Sequence, residues 1–324
     1  MSYPASSERV ILLFVIPHEK RRKETCMYYL LSLLTGILVA IMITVNGGLT
    51  TLYGVYSATV IIHIVGLLLI GGVILLRREK PFRKGLPWYL YIGGVIGVAS
   101  TVFTNYAFGK ISVSAILALS LFGSSVMGLL VDQFGLFKMR VHRFRPHQLP
   151  GLMLVLGGIV CLMIGSFSLL PVLAVFASGI LLVVSRSFNS RLADQTSMYS
   201  STFFNYVCGL CTAIPVFLLL GRGEPVVAKF AFSPDWWIYL GGAIGVVTVF
   251  LTNVVVVKIP ALYISLLMFV GQVFTGVLLD ALLDGAFSLQ NLIGGVFVAL
   301  GMTLNLLLER RDSRRAAALY REQE

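Results

Sequence analysis

The sequence predicts an all-α polytopic membrane protein, with ten transmembrane helices arranged as two inverted five-helix repeats. Three observations predict it. The 324-residue chain is 57% hydrophobic and only 12% charged, about half the charged share of a soluble domain. Apolar runs recur along most of its length, each close to the ~20 residues that a bilayer core requires. And the stretch WYLYIGGVIGV at Trp88–Val98 returns as WWIYLGGAIGV at Trp236–Val246.

The spans must be helices, because continuous apolar runs lack the alternation of a membrane barrel. In chain order they read as about Tyr28–Val45, Val55–Leu76, Trp88–Phe108, Ser112–Val131 and Gly151–Phe167. The second set is Pro171–Ser185, Met198–Leu220, Trp236–Val257, Ala261–Leu279 and Leu289–Leu308. Trp88 after Pro87, and Trp236-Trp237 after Asp235, set aromatics at an interface. Pro171 opens a helix where its missing N–H costs nothing. The resulting organisation is a tail over 1–26, a first repeat over 27–167, a second over 168–308 and a basic tail over 309–324. The first tail has an apolar run, Val10–Ile16, too short to span. Basic residues follow it, the reverse of a signal peptide. Because Met27 directly precedes the first span, residues 1–26 are either a cytoplasmic tail or untranslated.

Orientation follows from Lys and Arg. With the N-terminus cytoplasmic, 22 of the 25 basic residues fall inside, and only Lys110, Arg222 and Lys229 fall outside. The positive-inside rule therefore places both termini in the cytoplasm of a multi-pass membrane protein. The net charge of +11 reflects this loop bias and not nucleic-acid binding, since no basic stretch is interleaved with exposed aromatics.

Shifted by 148, Trp88–Asp132 falls on Trp236–Asp280 without a gap, with about 17 of the 45 positions identical. Shifted by 143, Gly36 falls on Gly179, Asn46 on Asn189, Tyr56-Ser57 on Tyr199-Ser200 and Gly66 on Gly209; Gly151 and Gly158 fall on Gly294 and Gly301. Five spans per unit is odd, so the two copies enter the membrane from opposite sides. Inverted repeats of this kind are the architecture of alternating access.

The stretch GILVAIMITVNGGL, PWYLYIGGVIGV with its echo, Gly271-Gln272 in the ninth span and the glycine-led GLMLVLGGIV resemble the drug/metabolite transporter superfamily, and within it the YdcZ-type inner-membrane exporters. The resemblance covers about residues 27–308. It implies a fused two-repeat transporter whose spans 1–4 and 6–9 line a central cavity, with spans 5 and 10 at the periphery. It implies export, since sequence sets orientation and not direction.

Polar groups inside spans are expensive and mark candidate sites. His63 lies in the outer part of span 2, with Asn205 and Tyr206 at matching depth in span 7. Thr101, Thr104, Asn105, Ser120 and Ser124 belong to the first repeat, and Thr248, Asn253 and Gln272 to the second. Together they describe a mildly polar, uncharged cavity. Each taken alone has a plainer reading, as a hydrogen bond between helices. Arg186, after span 6, either greets an anionic head group, snorkels to the interface or pairs with Asp194. Asn46 and Asn189 stand just past span ends and read as helix caps. The glycines of Gly93-Gly94…Gly97 and Gly241-Gly242…Gly245 read as close helix packing, and Cys208-Gly-Leu-Cys211 as two small residues one turn apart.

No Glu lies within a span, and the first span has no acid where small multidrug relatives hold a buried carboxylate. Asp132 and Asp280, at helix ends, are the candidate coupling residues. The cargo expected is therefore a small neutral, zwitterionic or weakly anionic organic molecule. No catalytic set, metal-ligand cluster or cofactor motif is present in the sequence. The partners expected are the small-molecule substrate and the lipid bilayer, with a homodimer left open. A membrane sensor or accessory subunit without transport is the alternative; it would ordinarily carry a soluble signalling domain, and the longest loop here is about 19 residues.

Overall fold

The computed structural model describes residues 18–83, 85–134, 149–164, 168–225, 232–256, 261–283 and 288–321. The N-terminal residues 1–17, most of the basic 132–150 loop and Lys258 lie outside them. Ten α-helices follow one another: α1 (His18–Tyr53), α2 (Val55–Arg77), α3 (Ile92–Ala107), α4 (Val113–Phe134), α5 (Leu149–Met163), α6 (Leu169–Gln195), α7 (Met198–Leu220), α8 (Gly241–Val256), α9 (Ala261–Leu283) and α10 (Leu289–Arg321). Among the described residues there is no β-strand. Six helices are long and apolar enough to cross a membrane, and four shorter apolar helices accompany them.

The echoed tryptophans begin the same local structure in both halves. Trp88–Tyr91 and Trp236–Leu240 each form a 3₁₀ turn that runs directly into α3 and α8. Several helices outrun the apolar stretches that predicted them, α10 furthest, to Arg321. α6 continues to Gln195, so Arg186 and Asn189 sit inside a helix and not beyond its end. α1 runs to Tyr53, with Asn46 likewise inside it. The cap reading of Asn46 and Asn189 is thus corrected. Hydropathy marks where lipid stops, whereas a helix stops where its backbone is broken. After α1 the break is Gly54, at φ 96°, a conformation that side chains disfavour.

The bundle's outside is apolar. Leu75 is 78% exposed and Leu219 72%, and many other large aliphatic side chains face outward, the surface that a lipid-embedded bundle presents. Its interior is built from glycine contacts. Gly36 of α1 lies on the Met268 backbone of α9, and Gly271 of α9 lies on the Leu33 carbonyl of α1. Gly179 of α6 lies on the Ser120 carbonyl of α4, and Gly123 of α4 on the Phe176 carbonyl of α6. A Cβ at any of these would strike backbone, so the close approach requires glycine. α5 and α10 pack on each other through Gly151 against Gly301 and Gly158 against Gly294. Val155, Ile159 and Leu162 join Val298 and Met302 in the largest apolar cluster.

Under the residue correspondence of the two halves, the main helix contacts map onto others that are also present. Helices α1·α9 and α6·α4 exchange, as do α1·α8 and α6·α3, and α2·α8 and α7·α3, while α2·α7 and α5·α10 map onto themselves.

Candidate functional site

The polar groups concentrate where α2 and α7 meet α3 and α8. His63 is buried; its Nδ1 lies 2.7 Å from the Thr59 carbonyl. A carbonyl only accepts, so that nitrogen carries the hydrogen. The imidazole packs edge-on against Tyr206, ring centres 5.8 Å apart, and fills the space beside Gly209. Tyr206, its counterpart, fills the space beside Gly66 and donates its hydroxyl to the Gly242 carbonyl at 3.1 Å.

At the α3·α6 seam, Gly93 faces the side-chain oxygen of Asn189. Asn189 Nδ2 donates to Asn205 Oδ1 at 2.8 Å and lies 3.5 Å from Ser185 Oγ. Ser185 donates to the Gly93 carbonyl at 2.7 Å, and Ser201 to the Asn189 carbonyl at 2.6 Å. At the corresponding α8·α1 seam, Gly241 faces the side-chain oxygen of Asn46. Asn46 Oδ1 is buried and has no hydrogen-bond partner. In the other half Asn189 Nδ2 is anchored by Asn205 and Ser185, and these correspond to Ile62 and Met42, so Asn46 lacks that anchorage. A buried acceptor left unpaired costs about 1–3 kcal/mol.

Of the remaining predicted site residues, Thr104, Asn105 and Ser124 bond across helices and others bond within their own. Thr101 donates back to the Gly97 carbonyl. Thr104 reaches the Ser100 carbonyl and, at 3.2 Å, Ser178 of α6. Asn105 is buried and donates to Thr59 Oγ1 at 3.4 Å. Ser124 donates to the Gly179 carbonyl, and Gly179 packs closely on the Ser120 carbonyl. Thr248 is buried and bonds the Gly245 carbonyl. Gln272 is buried beside Gly271. Arg186 is exposed on α6, apart from the His63–Tyr206 cluster. The side chains of Asn253 and Asp132 lie outside the described residues.

Asp280 is bound tightly. Its carboxylate accepts from Val113 N–H at 2.5 Å, Ser114 N–H at 3.0 Å, the Ser114 hydroxyl at 2.5 Å and Asn291 Nδ2 at 3.4 Å. Two of those donors are free N–H groups at the start of α4, where a negative charge is favoured.

Sequence reading missed two further carboxylates. Glu224, after α7, accepts from Tyr56 N–H and Ser57 N–H, both at 2.8 Å, and from the Ser57 hydroxyl at 2.6 Å. Glu79, after α2, accepts from the hydroxyls of Ser197 and Ser200. So each of α2 and α7 has its N-terminus held by an acid that follows the other helix. The available signal was weak: Tyr56-Ser57 and Tyr199-Ser200 correspond, and each acid is the first to follow its span. Near Glu224, the hydroxyls of Tyr53 and Tyr239 are hydrogen-bonded to each other, and Ser233 N–H lies 3.1 Å and 2.9 Å from them. Among the described residues no group of His, Cys, Asp and Glu side chains could hold a metal.

The family model whose description is "Putative inner membrane exporter, YdcZ" matches twice, over residues 27–161 and 170–304. A comparison with curated proteins finds no significant match. Eighteen chains of solved structures do match. One, a crystal structure of a protein, covers 88% of this chain and 97% of its own, with a TM-score of 0.58 and 20% identity. At that identity the likeness shows the fold alone.

Proposed function

The chain belongs to the YdcZ-type family of inner membrane exporters, and from that premise we propose that it carries a small organic molecule outward across the inner membrane by alternating access. Ten spans form two inverted five-helix repeats, with both termini in the cytoplasm. One observation carries the reading: the contacts exchange between halves. Gly36 on α9 answers Gly179 on α4, Gly94 on the Asn205 carbonyl answers Gly242 on the Ile62 carbonyl, and His63 beside Gly209 answers Tyr206 beside Gly66. A bundle with this exchange can adopt two arrangements of similar energy by swapping the roles of its halves.

The cargo pathway runs between α1–α4 and α6–α9, with His63, Tyr206, Asn205 and Asn189 at its polar centre. The surroundings are amides, hydroxyls and one imidazole, which favour a neutral or zwitterionic molecule over a permanent cation. The chain is a carrier in this reading and not an enzyme; its hydroxyls within the spans are committed to helix carbonyls.

Single cysteines at Trp88 and Trp236 test the architecture. They should react with an impermeant thiol reagent from opposite faces, and reaction from one face would end the inverted-repeat reading. Metabolite profiling of cells lacking and overproducing the protein, followed by flux of the leading compound in proteoliposomes, tests transport. No accumulation and no flux would refute it.

A further inference from the structure

We propose that Asn46 is a hydrogen-bonding contact for the cargo, taking an N–H or O–H donor when the seam between α1 and α8 opens. This rests on the alternating-access reading and names a binding residue within it. Three observations carry it. First, Asn46 is 7% exposed and its Oδ1 has no partner. Secondly, the corresponding Asn189 is anchored through its Nδ2, which donates to Asn205 Oδ1 and lies within reach of Ser185 Oγ, and Asn46 has Ile62 and Met42 where those anchors would stand. Thirdly, what covers the oxygen is Gly241, whose backbone offers no donor to it and no side chain to block it. Sliding α8 away by the width of a small group would expose the amide to whatever occupies the pathway.

The neighbours define the chemistry. Met42 and Ile62 stand where the other half has Ser185 and Asn205, so the amide is set in apolar walls. Gly245, one turn along α8, lies near the Met42 sulfur and the Tyr206 hydroxyl. Such a place suits a molecule with a compact donor group, an amide, amine or hydroxyl, attached to an apolar body. The two seams then differ in kind: α3·α6 closes on its own hydrogen bonds, and α1·α8 closes with one acceptor unanswered until cargo answers it.

The test uses the full chain with Cys26, Cys161, Cys208 and Cys211 replaced by Ala. In membranes, 2-sulfonatoethyl methanethiosulfonate should modify Asn46→Cys at least ten-fold faster than Ala40→Cys, which is fully buried on the same helix. Equal rates would overturn the proposal, whether or not a cargo is known. In a second arm, Met42→Ser with Ile62→Asn supplies the hydroxyl and the amide of the other half, each of which carries a donor for Asn46 Oδ1. The pair should raise the melting temperature and lower flux of the profiled compound about ten-fold. Raised stability with wild-type flux would overturn the proposal, since the unpaired oxygen would then be a packing defect. If the pair does not fold, Asn46→Leu serves: flux at the wild-type level refutes the contact, and a ten-fold loss in a folded protein supports it. Labelling of Trp88 and Trp236 on one face would sink the parent reading and not this arm's kinetics, so the two failures are distinguishable.

Discussion

His63 stands against Gly209 of α7 just as Tyr206 stands against Gly66 of α2. Each half gives the other one ring and receives it in the space left by a missing Cβ. The two rings also touch edge-on, so the centre of the bundle is a closed four-residue interlock.

The interlock predicts a paired response to added methyl groups. Gly209→Ala and Gly66→Ala should each destabilise the protein by about 1–3 kcal/mol, the usual cost of overpacking. His63→Ala introduced into Gly209→Ala should recover part of the loss, because the ring that the methyl strikes is then gone. Thermal melts in detergent read both effects. Equal stability of Gly209→Ala and wild type would show that the helices separate more easily here than this packing implies.

The carboxylates on either side of the α2·α7 pair predict an unequal response. Glu224 satisfies two backbone N–H groups and a hydroxyl at the start of α2. Glu224→Ala should therefore cost about 1–2 kcal/mol, the range of a lost helix cap. Glu79 bonds only hydroxyls, and Ser197 already caps α7 by accepting from Ser200 N–H at 3.0 Å. Glu79→Ala should cost about 0.5–1 kcal/mol. Denaturation of the two variants side by side would check the order, and a larger loss at Glu79 would contradict it.

Much of the bundle was legible because lipid imposes long apolar helices and because duplication leaves matching glycines. Met198–Leu220 was read to the residue. The end of the sixth span was not, since Arg186, Asn189 and Arg191 lower hydropathy without breaking the helix. The acids at 79 and 224 were illegible for another reason. Their partners lie 118 to 168 positions away, and only the packing of α2 on α7 brings them together. Asn46 looked like a cap because it stands just past the apolar run of the first span, yet the helix continues through it to Tyr53. Its unpaired oxygen could be seen only once Gly241 was placed against it.

Cys208 and Cys211 provide a control. Both are free thiols, Cys211 is exposed on the outer side of α7, and Gly209 between them makes the contact with His63. Replacing both by Ala should leave the melting temperature within about 0.5 kcal/mol of stability, as for changes outside packed or bonded sites. It should leave flux unchanged in reducing and oxidising buffers alike. Loss of flux on oxidation, absent in the double variant, would instead give the pair a redox role.

Asp280 bears on coupling. A carboxylate that carries protons across a membrane must be free to exchange them between two sides, and this one accepts from two backbone N–H groups, a hydroxyl and an amide. Those bonds are made to the charged form and tie it to the start of α4. Asp280→Asn replaces one acceptor oxygen with a donor facing N–H groups, so it should destabilise the protein by about 1–3 kcal/mol. If the residue is a clamp, the pH dependence of flux in proteoliposomes should survive in whatever fraction remains folded. A pH profile flattened by Asp280→Asn, at equal amounts of folded protein, would instead make Asp280 the coupling group, and the network around it would then have to open during each cycle.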